Sequence, residues 1–67
     1  MNLSPNHLIK ILIGKGFIFK RSRGSHHIYY NSATNKTVSV PLHGNKDLKK
    51  GTLLVILKQA GIPKEEI

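Results

Sequence analysis

Apolar residues along this chain recur with two different periods, and the changes of period divide it into elements. Ser4 followed by Pro5 reads as a helix start. The serine hydroxyl can accept from an orphan backbone N–H, and proline fits the first helical position because its missing N–H is not needed there. Leu3 and Leu8 stand at the two positions of a hydrophobic staple around that cap. Leu8, Ile11 and Leu12 follow i, i+3, i+4 spacing, with Ile9 and Ile13 widening the stripe, and Gly14 and Gly16 end the helix. From Phe17 the pattern becomes that of strands. Residues 17–21 are rich in strand formers, 22–25 are turn material, and 26–30 read as a second strand closing a hairpin. Residues 31–36 form a polar loop. Thr37-Val38-Ser39-Val40 alternates, which directs Val38 and Val40 to the core before Pro41 stops the strand. After a loop over 42–46, helical spacing returns over 49–60, where Leu53, Ile56, Leu57 and Ala60 share one face and Asp47 or Leu48 is the candidate cap. Gly61 and Pro63 stop this helix, and residues 63–66 can add a short turn.

The predicted order is α-β-β-β-α, an α+β fold in a single domain over residues 1–67. The simple arrangement is a three-stranded antiparallel sheet with two helices on one face and the other face open to solvent. A chain of this size buries only about 60% of its unfolded surface, so neither a second domain nor a large enclosed pocket is expected. Successive strand residues point to opposite faces. If Tyr29 packs inward, so does His27, while His26, Ile28 and Tyr30 point outward. The two adjacent imidazoles therefore do not share one site on a regular strand.

Charge changes the picture. Eleven Lys and Arg against three Asp and Glu give a net charge of +8. All three acids, Asp47, Glu65 and Glu66, lie in the last third, and no acid precedes Lys46. Such a surface concentrates phosphate polymers and speeds encounter with them, so the expected partner is nucleic acid, with a merely solubilising basic surface as the alternative. The chain has no Cys, which excludes disulfides and thiolate metal sites. It has no run near the roughly 20 apolar residues of a membrane span, and its first residues lack the form of a secretory signal. The expected compartment is the cytoplasm.

The chemically unusual stretch is Lys20-Arg21-Ser22-Arg23-Gly24-Ser25-His26-His27. An imidazole can take a proton near neutral pH and, once charged, give it back. RNA offers such a proton on its 2′-hydroxyl. Its removal makes an internal nucleophile beside the backbone phosphorus, and attack leaves a 2′,3′-cyclic phosphate. Lys20, Arg21 and Arg23 are suited to stabilise charge developing on that phosphate. The scheme calls for no metal and no cofactor. The plainer alternative is that His26 only contacts phosphate. His27, directed inward, reads as a packed residue at the core edge. The four His match no common zinc spacing, and without acids in the first 46 residues neither a serine nucleophile nor a carboxylate pair can be assembled there. On the outward face, Tyr30 and Ile28 suit either stacking on unpaired bases or docking of a protein. Gly24 either lets a partner approach closely or simply turns the hairpin.

Gly24-Ser25-His26-His27 after a basic strand, Val38-Ser39-Val40-Pro41, Lys46-Asp47-Leu48, and Gly51-Thr52-Leu53 leading into Ile56-Leu57-Lys58-Gln59-Ala60-Gly61 together resemble the HicA toxins. The resemblance implies a double-stranded-RNA-binding-domain-like fold and a small ribonuclease that cleaves mRNA and is neutralised by a HicB-type antitoxin. It implies that His26 is the catalytic residue and that Gly24 belongs to the same motif. The expected RNA-binding set is then Lys20, Arg21, Arg23, Gly24, Ser25 and Tyr30.

Overall fold

The computed structural model describes residues 1–44 and 46–67; Asn45, within the predicted 42–46 loop, lies outside the described residues. Helix α1 spans Pro5–Gly14, and the Ser4 hydroxyl accepts from the His7 N–H at 3.4 Å, as the Ser-Pro start requires. Leu8 and Leu12 are fully buried and Ile11 packs against the core, but Ile13 is exposed, so the buried stripe is narrower than the apolar run. The helix closes with two reversed hydrogen bonds, from the Gly16 N–H to the Ile13 carbonyl and from the Phe17 N–H to the Leu12 carbonyl, each about 3 Å long. This closure needs a positive φ at residue 16, here +98°, which glycine adopts without strain. It also carries Phe17 straight into the core, so the first strand starts one residue later than the composition suggests.

Strands β1 (Ile18–Arg23), β2 (His26–Asn31) and β3 (Lys36–Pro41) form one antiparallel sheet in the order β1-β2-β3. Pro41 ends β3 from within it, as the strand's last residue opposite His26; an edge strand tolerates a residue that donates nothing. Helix α2 spans Lys50–Ala60. Lys49, rather than Asp47 or Leu48, is its cap residue and supplies no side-chain hydrogen bond, while Leu48 is buried. The helix ends as α1 does, with the Gly61 N–H on Lys58 and the Ile62 N–H on Leu57, and a short 3-10 turn over Lys64–Glu66 follows.

Val38, Val40 and Tyr29 from the sheet, Leu8 and Leu12 from α1, and Leu53, Ile56, Leu57 and Ala60 from α2 form one core. Both helices therefore cover the same sheet face. The α-β-β-β-α order, the three antiparallel strands and the two helices make this an α+β domain of double-stranded-RNA-binding-domain type. Among the described residues no helix covers the opposite sheet face, and that face holds the candidate site.

Candidate nucleic-acid interface

Two features of the β1–β2 hairpin decide which side chains reach the open face. The first is its turn. Arg23 pairs with His26, leaving Gly24 and Ser25 as a two-residue loop. Gly24 has φ +58°, and Ser25 is not among the described residues with positive φ, which makes a type II′ turn with glycine at its first central position. The Gly24 position opens onto solvent, so glycine is required here by the turn. The Ser25 carbonyl accepts from the Leu42 N–H at 2.7 Å and ties the turn to the chain leaving β3.

The second feature is a β-bulge. Phe19 pairs with Tyr29 and Arg21 with Ile28, so Lys20 is an extra residue in β1. Strict alternation from Phe19 would send Arg21 and Arg23 toward the helices. The bulge shifts the phase, so Arg21 lies opposite Ile28 and Arg23 opposite His26, both on the open face. Lys20 reaches the same face, with its ammonium 4.8 Å from the centre of the Tyr30 ring. Three cations thus share one face with His26.

His26 is exposed at the start of the central strand, between Arg23 on β1 and Pro41 on β3. Side chains directly opposite each other in such a ladder have Cβ atoms about 4.5–5.5 Å apart. The His26 Nδ1 lies 3.3 Å from Ser39 Oγ. With its proton on Nδ1 the ring donates to the serine and leaves Nε2 as a free base. His27 takes the other face, with its ring centre 5.4 Å from that of Phe19, as the alternation requires. Tyr29 also faces the helices, and burial raises its phenol pKa, which keeps it out of proton exchange at neutral pH.

Tyr30 faces outward but is engaged: its hydroxyl donates to Asn35 Oδ1 at 2.8 Å and Lys20 lies over its ring. On the far side of His26, past the β3 edge, a groove runs between the open face and α2, bounded by Ser39, Pro41, Thr52, Val55 and Gln59. Neither Ser39 nor this α2 flank follows from reading the strand-turn-strand motif alone. The alternation of residues 37–40 does turn Ser39 outward, but its approach to His26 depends on the β2–β3 register. Among the described residues, no three His, Asp or Glu side chains gather where they could hold a metal ion.

The open sheet face of this small α+β domain thus presents an imidazole held at Nδ1, with Lys and Arg side chains beside it. The sequence model of one family, described as the HicA toxin of bacterial toxin–antitoxin, matches residues 6–62. The chain belongs to the HicA toxin family, and membership implies an antitoxin partner. Among curated proteins, none matches the chain in sequence. Among the described residues, no helix is long and apolar enough to cross a membrane.

Proposed function

We propose that this toxin is a metal-independent endoribonuclease that cleaves mRNA in the cytoplasm, with His26 as its catalytic residue, and that a HicB-type antitoxin neutralises it. The observation that carries the reading is the exposed His26 ring, hydrogen-bonded at Nδ1 to Ser39 and flanked by Arg23. His26 Nε2 takes the proton of a ribose 2′-hydroxyl. The 2′-oxygen attacks the adjacent phosphorus, the bond from phosphorus to the 5′-oxygen breaks, and the proton returns from the imidazolium to that oxygen. The products are a 2′,3′-cyclic phosphate and a 5′-hydroxyl end. Lys20, Arg21 and Arg23 bind phosphate and offset the charge that grows on it, with Gly24 and Ser25 allowing the backbone to approach. An antitoxin with an acidic surface would cover the same face and silence it.

The test is incubation of the purified protein with RNA in EDTA, and with the same RNA carrying a single deoxyribose at the cleavage site. Cleavage of the first and not the second is expected. Cleavage at the deoxyribose would rule out attack by the 2′-hydroxyl.

Binding and positioning give two further expectations. With an uncleavable RNA, three direct phosphate contacts predict a log–log salt slope of about −2 to −3. Converting Arg21 and Arg23 together to glutamine should make the slope shallower by about one to two; an unchanged slope would take these two arginines off the phosphates. Ser39→Ala removes a hydrogen bond worth about 1 kcal/mol, so kcat should fall roughly five- to tenfold with KM unchanged, and Ser39→Thr should restore it. A KM effect without a kcat effect would show that Ser39 does not position the imidazole.

A further inference from the structure

The groove beside His26 has a composition unlike the rest of the open face. Its walls are Pro41 and Val55, its polar groups beside His26 are Ser39, Thr52 and Gln59, and among the described residues no Lys, Arg, Asp or Glu lines it. Val55 is 55% exposed, an apolar side chain on α2 with nothing covering it. Arg21 and Arg23 stand on the other side of His26, on β1, while Lys46 and Lys49 line a separate hollow that meets this groove only at Pro41 and Thr52. Apolar walls for a flat ring, with hydroxyl and amide groups able both to donate and to accept, match the chemistry of a nucleobase rather than of a phosphate.

The geometry of a nucleotide at His26 selects the same place. The base is attached to the sugar carbon next to the one bearing the 2′-hydroxyl. A ribose that gives its proton to His26 therefore holds its base within one ring-width of that imidazole. With the phosphates drawn toward Arg23, the base is directed to the opposite side, over Pro41 and into the groove. Tyr30 does not compete for it. Four residues along β2 put Tyr30 about 13 Å from His26, and its ring already carries Lys20.

We propose that this groove is a subsite for the unpaired base of the nucleotide on the 5′ side of the broken bond, with Thr52 and Gln59 contacting the base edge and Pro41 and Val55 its faces. The proposal rests on the ribonuclease reading for its choice of nucleotide. It makes α2 the element that sets base preference, and it requires single-stranded RNA at the point of cleavage.

The test reads binding without cleavage. The four nucleoside 3′-monophosphates and, as a base-less control, inorganic phosphate are titrated into the full chain and followed by amide NMR. The nucleotides should shift Gly51, Thr52, Val55 and the Gln59 side-chain amide, and at least one base should do so more strongly than the others. Phosphate should shift the β1–β2 hairpin and the lysine-flanked first turn of α2 but leave Val55 and the Gln59 side-chain amide in place, so these two signals report the base. Val55→Glu, at an exposed position, should weaken nucleotide binding at least tenfold without changing phosphate binding. Nucleotide shifts confined to the sheet, equal nucleotide affinity in Val55→Glu, or occupation of the groove only by the antitoxin would each overturn the subsite. If RNA survives the incubation in EDTA while Val55 and Gln59 still respond to nucleotides, the ribonuclease reading fails and the base site stands. If RNA is cut while Val55 and Gln59 stay silent, only the base site fails.

Discussion

Replacing His26 by alanine is expected to lower the rate of RNA cleavage by about 10²–10⁴-fold, the usual contribution of a positioned proton-transfer group. RNA affinity and its salt dependence should change little, because the phosphate contacts assigned to Lys20, Arg21 and Arg23 remain. Expression of the wild-type chain without its antitoxin should arrest growth, and His26→Ala should relieve the arrest. Cutting of RNA by the variant at the wild-type rate would remove His26 from the mechanism whatever its position on the sheet. His27→Ala is the informative control. That ring lies on the helix side against Phe19, so the substitution should cost stability and leave the catalytic step intact in the fraction that is folded. Adjacent residues with opposite phenotypes are what the two-residue period of a strand demands.

Local patterns of this kind make much of the domain legible. The Ser4-Pro5 start marks where α1 begins, and the alternation of residues 37–40 and the helical spacing of Leu53, Ile56, Leu57 and Ala60 each name the face that the structure buries. The outward direction of His26 followed from placing Tyr29 inward. What local pattern does not carry is register. The bulge at Lys20 leaves no mark in the composition of β1, yet it alone brings Arg21 and Arg23 to the His26 face. Closeness in sequence groups these cations with His26 but does not say why they share its face. The Ser39–His26 contact depends on β2–β3 pairing across a turn, and the α2 wall of the groove depends on tertiary packing. Both are non-local. Ile13 marks the converse limit, since an apolar residue adjacent to a buried stripe is not thereby buried. Asn31 is a third case: its polarity suggested a loop, whereas it is the buried last residue of β2.

Asn31→Leu is accordingly expected to destabilise the domain by about 2–3 kcal/mol, as two or more backbone groups lose their partner. Asn31 is 3% exposed. Its Nδ2 donates to the Lys15 carbonyl at 3.0 Å, and its Oδ1 accepts from the N–H groups of Ala33 at 2.9 Å and Thr34 at 3.4 Å. One side chain therefore fastens the α1–β1 connection to the β2–β3 turn, across an approach so close that a methyl group on Gly16 would stand 3.3 Å from Nδ2. Leucine has the same branched skeleton, with bulkier methyl groups in place of the amide, and neither a donor nor an acceptor. The exposed Lys15–Glu66 ion pair, which also ties this connection to the end of the chain, cannot replace what is lost, since such pairs contribute about 0–1 kcal/mol. In a domain of this length 2–3 kcal/mol lowers Tm by roughly 10–20 °C, which thermal and urea unfolding both read. Asn31→Asp keeps the acceptor for Ala33 and Thr34 but faces a carboxylate toward the Lys15 carbonyl, so it should recover only part of the loss. Below the lowered Tm, cleavage per folded molecule should match the wild type, because His26 lies at the opposite end of β2. A loss under about 0.5 kcal/mol would mean that water takes over these backbone groups and that the clamp does not hold the sheet to α1.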